Sequence, residues 1–439
     1  MIELIREEPR PLVIVLSALK GVTDELLGLV ELAGQGRGVS IDGLRERHLK
    51  VLESLDGEPR AQAEITLEEH FTDLERVLGG VAALAEVHPS ARDRVLSFGE
   101  RLSIVLARAH LDAQGIPARC LVAEEAGILT TDEPGDSRIL GRAREAVLER
   151  FSKREALVYV VAGFVGRDGA GRLTTIGRGG SDTTATFLAS VLGGPAVLWK
   201  DTQGLLTGDP AVVRAPRVIE RIHYMDALEL AHYGLPAIAA KAIHPARRAG
   251  IPIEIRSFAD GESPSAIGDY ETSHLAISCV PEVVMIDMLG TTGVSSDLDD
   301  RGSEPAEPRP GRVLLALARF LEGLAETGVA PLLLTEASPL GETTVVVRAS
   351  DQAVVEQLLA HETPGLETSI RGGLAVVSLI GSGMRHRIGF AASVFATLAA
   401  EEINIEAIAQ TASERNISVI VATGQAHAAV RALHTEFVE

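Results

Sequence analysis

The sequence predicts a layered α/β domain followed by a pair of smaller ferredoxin-like units. Residues 12–18 (LVIVLSA) and 157–164 (LVYVVAGF) are short β-branched runs without polar alternation, the pattern of central strands buried on both faces of a parallel sheet. Helical patterns over 61–86, 99–114 and 138–152 lie between them, and such strand–helix alternation builds an α/β layered sheet. Beyond about residue 260 the pattern changes to a βαββαβ succession followed by βαββα, a weak repeat of ferredoxin-like units.

Each element follows from its local pattern. The amino-terminal run at 12–18 is too short for a secretory or membrane segment and reads as a buried strand. RDGAGR at 167–172 is a turn signal between two strands and predicts a hairpin. The first small unit reads as strand 282–289, helix 312–327, strands 329–335 and 343–349, helix 351–361 and strand 366–371. The second reads as strand 374–380, helix 389–401, strands 404–411 and 417–423, and helix 425–437, one strand short of the first. An unpaired sheet edge is a liability, and the apolar run HLAISCV at 274–280 is the candidate to complete it. Residues 290–311, proline-rich and acidic, read as a disordered insertion.

Composition removes several classes of function. A chain of 439 residues exceeds one compact core and implies two or three domains. Lys plus Arg is 41 and Asp plus Glu 61, so the net charge is 41 − 61 = −20, which repels nucleic acid and anionic membranes. Aromatics are only 3%, too few for base-stacking platforms. Cys120 and Cys279 stand alone in apolar stretches, which excludes a disulfide framework or C-x-x-C metal pair and fits a reducing cytoplasm. His223 and His232 read as surface or packing residues, so no metal centre is expected.

The most informative stretch is TTIGRGGSDTTATFLASVLGG at 174–194. Gly177, Gly179 and Gly180 allow a tight turn and close approach to a ligand, and Ser181 and Asp182 fall where a helix begins. Arg178 adds a fork suited to a carboxylate or phosphate. A glycine turn that merely caps a helix fits the same residues.

The string GRGGSDTTA resembles the signature of the aspartate kinases, within the amino-acid kinase family. The resemblance continues through VLSALKGVTDELL (15–27), SFGERLS (97–103), GFVGRDGAGRLTT (163–175), WKDTQGLLTGDP (199–210) and INIEAIAQTASERNIS (403–418), and spans essentially the whole chain. The helical insert between Thr23 and Ser97 is similar to the lysine-sensitive kinase and to the kinase half of the bifunctional enzymes; the chain ends where a dehydrogenase would begin, implying the single-function form. It implies an αβα kinase domain over 1–268, a first ACT domain over 274–372 and a second over 373–439, with 274–280 completing the second. It also implies γ-phosphoryl transfer from ATP, with Mg²⁺, to the β-carboxylate of L-aspartate, opening the route to lysine, threonine and methionine. By motif, Arg178 binds a substrate carboxylate, Glu100 the α-ammonium, Thr23 and Ser181 hydrogen-bond the substrate, and Asp182 orients a catalytic lysine. The ACT pair implies a homodimer and an amino-acid effector, lysine or threonine.

The nucleotide side departs from the pattern. Family members open with a K-F-G-G-T-S phosphate loop, and nothing like it precedes Val13, which a start placed too far downstream would explain. The nucleotide positions implied by the family fall on Lys200, Asp201, Leu206 and Ala211, where threonine, tyrosine and arginine are usual in place of Lys200, Leu206 and Ala211. An ungapped alignment of G-A-K-V-L-H-P puts the nucleotide lysine on Pro236, whereas a shifted one uses Lys241 and His244-Pro245. A divergent ATP site and an impaired paralogue kept as an amino-acid-binding regulator both fit this pattern. On the effector side, the usual ligand loop of the first ACT unit is replaced by the 290–311 insertion, followed by the apolar VAPLLLTEAS.

Overall fold

In the computed structural model, whose described residues are 2–152, 158–234, 238–258, 265–290, 310–336, 342–363 and 366–439, main-chain pairing sorts the strands into separate sheets. The chain begins with α1 (Ile2–Glu7), β1 (Leu12–Leu16), α2 (Val22–Gly34), α3 (Asp42–Leu52), α4 (Glu58–Leu84), α5 (Pro89–Leu96) and α6 (Phe98–Ala113). It continues through β2 (Arg119–Leu121), α7 (Ala143–Ser152), β3 (Val158–Ala162), β4 (Val165–Arg167), β5 (Leu173–Thr175), α8 (Gly180–Leu192) and β6 (Ala196–Lys200). After β7 (Arg221–His223), α9 (Tyr224–His232), α10 (Ala240–Ala249), β8 (Ile253–Ser257) and β9 (Ser265–Gly268) come the elements of the carboxyl-terminal part.

Contacts divide the chain into two compact units. One holds residues 1–198 and 238–254, the other 199–237 and 255–439. This division does not follow the sequence segments, because 199–237 and 255–268 group with the carboxyl-terminal part. The physical reason is that Val213 is buried in the same apolar cluster as Leu275, Val377 and Leu433.

In the first unit, β3 is the centre of a three-stranded parallel sheet of order β1-β3-β2. All five residues of β3 are buried, as a two-sided apolar run requires. Contrary to expectation, β1 is only half-buried, because it is the edge strand of this sheet. The turn at Asp168–Arg172 closes a hairpin, with Val165 opposite Thr175. The helical insert is α2 to α5. Helix α4 buries Leu67, Phe71, Leu74 and Leu78, a spacing of four, three and four that makes one apolar stripe against α6.

In the second unit, β10 (Ala276–Gly290), α11 (Pro310–Glu326), β11 (Leu333–Glu336), β12 (Thr343–Arg348), α12 (Gln352–Glu362), β13 (Leu366–Ile380), α13 (Phe390–Ala400), β14 (Ala407–Gln410), β15 (Asn416–Ala422) and α14 (Thr423–Phe437) follow the repeated pattern. Their strands form one six-stranded antiparallel sheet, order β11-β12-β10-β13-β15-β14. Residues 276–280 pair with 376–380, and Leu374–Ile380 pair in turn with β15. The sequence reading ends one strand at Arg371 and begins the next at Leu374, with a break at Gly372-Gly373. Instead β13 is one strand of 15 residues, paired along its length with an equally long β10. Bulges near Val280–Met285, with Glu282 at φ 54° and Gly373 at φ 71°, absorb the irregularity without ending the pairing. Of the proposed insertion at 290–311, Gly290 ends β10 and residues 310–311 open α11, so these ends are regular structure, while 291–309 lies outside the described residues.

Gly381 ends β13 at φ 135°, and a Cβ there would lie 2.0 Å from the His274 carbonyl oxygen. Gly381→Ala should therefore cost on the order of 2–4 kcal/mol. The check is urea unfolding followed by the fluorescence of Trp199, the chain's single tryptophan, which belongs to this unit and stacks on Phe258. An unchanged midpoint would contradict the strain.

Candidate active site

The carboxyl ends of parallel strands are where α/β sheets gather loops around ligands. Here the Gly163 N–H donates to the Leu16 carbonyl at 2.9 Å, joining the ends of β1 and β3. From β1 the chain runs through Ala18 to Gly21, at φ 79°, which starts α2 and sets Thr23 in its first turn. From β3 it runs into Gly163, where a Cβ would sit 2.7 Å from Ser181 Cβ. Only glycine lets the first turn of α8 approach that closely. Gly99, at the start of α6, does the same for Ala18, whose Cβ would lie 2.7 Å from an added one. Thr23, Glu100, Ser181 and Asp182 are thus carried by three segments packed at one sheet edge.

Glu100 is the unusual group. It is 3% exposed, and one carboxylate oxygen accepts the Ala18 N–H at 3.1 Å. Its other oxygen is buried with no hydrogen-bond partner among the described residues. Burial pushes its carboxyl up to about 8, against the lowering pull of the Ala18 and Glu100 backbone N–H groups. A buried carboxylate with a vacant oxygen is a site for a cation.

The glycine turn is held from outside. Gly177, at φ 78°, comes within 2.8 Å of the Gly135 carbonyl oxygen as a Cβ would measure it, and Gly179, at φ 73°, packs against Ala239. Asp93, buried in α5, accepts from Thr175 N and Thr175 Oγ1, each at 2.8 Å, and from Gly135 N at 3.1 Å. Burial raises its carboxyl, and those three hydrogen bonds work against the rise. Lys241, at the start of α10, donates to the Ile176 carbonyl at 3.0 Å and pairs with Asp136. Arg178 is exposed at the tip of the turn and makes no ion pair among the described residues.

Sequence reasoning missed Asp93, although it lies only four residues before the SFGE string in ARDRVLS. Of the two alignments for the nucleotide lysine, Pro236 lies outside the described residues, whereas Lys241 stands beside the turn.

The remaining positions that the resemblance assigns to the nucleotide belong to the second unit. Lys200 ends β6 and Asp201 is exposed after it. Leu206 bridges to Val218, and Ala211 is exposed, its N–H bonded to the Asp209 carboxylate at 2.8 Å. Among the described residues no helix is long and apolar enough to cross a membrane.

The profile of the Amino acid kinase family matches residues 1–257, and that of an ACT domain matches 377–437. Aspartokinase 1, chloroplastic, of Arabidopsis thaliana is 30% identical over 97% of this chain and 75% of its own length. The aspartokinase of Thermus thermophilus is 34% identical over 79% of this chain and 82% of its own. Among solved structures, E. coli aspartokinase III with aspartate and ADP superposes with a TM-score of 0.81 at 24% identity, covering 100% of this chain and 95% of that one. The same enzyme with lysine and aspartate gives 0.71 at 25%, covering 97% and 93%.

The state of Glu100 makes a stability prediction. The folded chain holds the proton up to about 8, whereas an unfolded glutamate releases it near 4.5. Stability is therefore full below about pH 4.5 and is lost as pH rises toward 8. Glu100→Gln, which removes the titration, should be the more stable protein at pH 8 by on the order of 3 kcal/mol. The gap should close as pH falls. Thermal melts at a series of pH values decide it, and parallel curves would refute the assignment.

Proposed function

This chain belongs to the aspartokinases of the amino acid kinase family, and from that premise we propose that it transfers the γ-phosphoryl group of ATP to the β-carboxylate of L-aspartate, giving 4-phospho-L-aspartate. The observation that carries the reading is Glu100, a buried carboxylate with one oxygen vacant at the edge where Thr23 and Ser181 also converge. It receives the substrate α-ammonium. Arg178 binds a substrate carboxylate through its fork, and the Thr23 and Ser181 hydroxyls fix orientation.

The β-carboxylate is already a nucleophile, so the reaction asks for alignment and charge neutralisation rather than a strong base. Lys241, tethered to Ile176 and Asp136, supplies positive charge beside the glycine turn, and Asp182 orients a lysine. Lys200, Asp201, Leu206 and Ala211 line the nucleotide side in this proposal. Among the described residues no three of His, Cys, Asp or Glu cluster as a metal cage. That donor set fits a Mg²⁺ held chiefly by nucleotide phosphates, the usual habit of this ion, where it would neutralise phosphate charge. The ACT pair is proposed to join two copies of the chain and to bind lysine or threonine as effector, in the cytoplasm. Sedimentation as a monomer at all concentrations would remove the dimer.

The test is a hydroxamate assay with purified protein, ATP, Mg²⁺ and aspartate. Turnover confirms the kinase, whereas aspartate binding without turnover would favour an impaired regulatory paralogue. Arg178→Ala should weaken aspartate binding by about 30- to 1,000-fold, the loss of one charge-assisted pair worth roughly 2–4 kcal/mol. Calorimetry showing unchanged affinity would refute that role.

The pH dependence has a definite sign. The ammonium needs Glu100 ionised, and the free carboxyl holds its proton up to about 8. The logarithm of kcat/KM for aspartate should rise with unit slope toward pH 8 and then level. A flat profile from pH 6 to 8 would contradict the pairing.

A further inference from the structure

The segment 205–219, which the proposed function assigns to the nucleotide, is packed against groups of the last helix of the chain. Thr207 is 5% exposed and uses every polar atom. Its N–H donates to the Arg217 carbonyl at 2.9 Å, and its carbonyl accepts from Ile277 N at 2.8 Å. Its hydroxyl accepts from Arg217 N at 2.9 Å and lies 3.0 Å from His434 Nε2. His434 belongs to α14 and is fully buried, with Nδ1 3.4 Å from a Glu439 carboxylate oxygen. An added Cβ on Gly208 would lie 3.2 Å from His434 Cδ2, so the ring is seated directly against the loop. Arg217 reaches the Glu439 carbonyl at 2.8 Å, and Val213 is buried with Leu433 and Val430 of the same helix.

The Glu439 carboxylate can only accept, so the ring proton sits on Nδ1 facing it, and Nε2 is left to accept the proton of the Thr207 hydroxyl, whose oxygen accepts from Arg217 N. The imidazole is neutral in this arrangement. Burial lowers its proton affinity, with Glu439 opposing and Arg217 assisting. These are the charged groups that face it.

We infer that His434 is a positioning residue for nucleotide binding: through Thr207 it fixes the 205–213 loop, so that the carboxyl-terminal ACT helix sets the affinity for ATP. The inference rests on the assignment of this loop to the nucleotide. Neither residue touches the reacting atoms. The imidazole fixes the Thr207 hydroxyl, and Thr207 fixes the backbone between Leu206 and Ala211. Displacement of α14 would release that backbone; Glu100 and Arg178 belong to the other unit.

The experiment compares Thr207→Val, Thr207→Ser, His434→Gln and the wild-type chain, reading ATP and aspartate binding separately by calorimetry and both KM values in the assay. Thr207→Val keeps the shape and removes only the hydroxyl. It should raise the ATP Kd and KM about five- to tenfold, through loss of the two hydrogen bonds that the hydroxyl makes, and leave the aspartate values unchanged. Thr207→Ser should restore binding, and His434→Gln should behave as Thr207→Val or more mildly, since an amide can still accept. The ATP KM of the wild type should also rise at acid pH as His434 gains its proton, a limb absent in His434→Gln. If wild type binds ATP and Thr207→Val matches it, the inference fails while the kinase reading stands. A wild-type chain that binds aspartate but no nucleotide overturns both. Equal losses for ATP and aspartate, or a lowered melting temperature that Thr207→Ser does not restore, would assign the contact to stability alone.

Discussion

The close approach of backbones at the carboxyl edge of β1 and β3 is the constraint on which the candidate site depends. The hydrogen bond from Gly163 N to Leu16 O fixes where the two strands stop. Beyond it the first turns of α2, α6 and α8 crowd the strand ends, and only small residues allow this. Gly163 faces Ser181 and Gly99 faces Ala18, each nearer than a Cβ tolerates. The same crowding desolvates Glu100, so the packing that assembles the site also creates its misfit carboxylate. A group of this kind costs stability in the empty protein, and sites that bind charge commonly retain that cost.

Much of the fold was legible because its signals are local. β-branched runs, helical stripes and turn glycines mark β3, α4 and the hairpin at 168–172, and the repeated strand–helix order marks the ferredoxin-like units. The half-burial of β1 was not legible, since edge or centre is a matter of sheet order, which no single run encodes. The continuity of β13 was hidden for the opposite reason. Gly372-Gly373 reads as a break, but pairing with an equally long β10 outweighs the local glycine preference. In the site, Glu100, Arg178 and Ser181 stood within recognisable strings, whereas Asp93 acts through three hydrogen bonds to residues 42 and 82 positions away. Such long-range partners leave no mark on composition or period. The grouping of 199–237 with the carboxyl-terminal part was hidden likewise, because Val213 alone looks like any loop valine.

The six-stranded sheet answers an edge problem that each small unit would face alone. A βαββα unit lacks a sixth element, and an exposed edge invites pairing with other chains. By running β10 and β13 side by side over 15 residues each, the chain gives each half a strand that began in the other. The consequence is mechanical as well as protective. Two ferredoxin-like units joined by continuous central strands share their main-chain hydrogen bonds, so neither can rotate far without bending a strand or opening the ladder at its bulges.

The attachment of α9 to this sheet follows a different logic from apolar packing. Asp226, 1% exposed, accepts from Ser382 N at 3.2 Å and pairs with Arg415, while Glu229 accepts from Asn416 Nδ2 at 2.6 Å. Taking both charges out of water is expensive, and their attraction commonly does little more than offset that cost. A buried pair of this kind therefore adds little net stability compared with an apolar contact of equal size. Its effect is on alternatives, since any docking in which Asp226 misses Arg415 leaves a charge stranded, a penalty of several kcal/mol. Apolar contacts alone would permit neighbouring registers of α9 at small cost. The pair at residues 226 and 415, with the Glu229–Asn416 bond one turn further along the helix, selects a single register and so fixes which face of α9 meets the ends of β13 and β15.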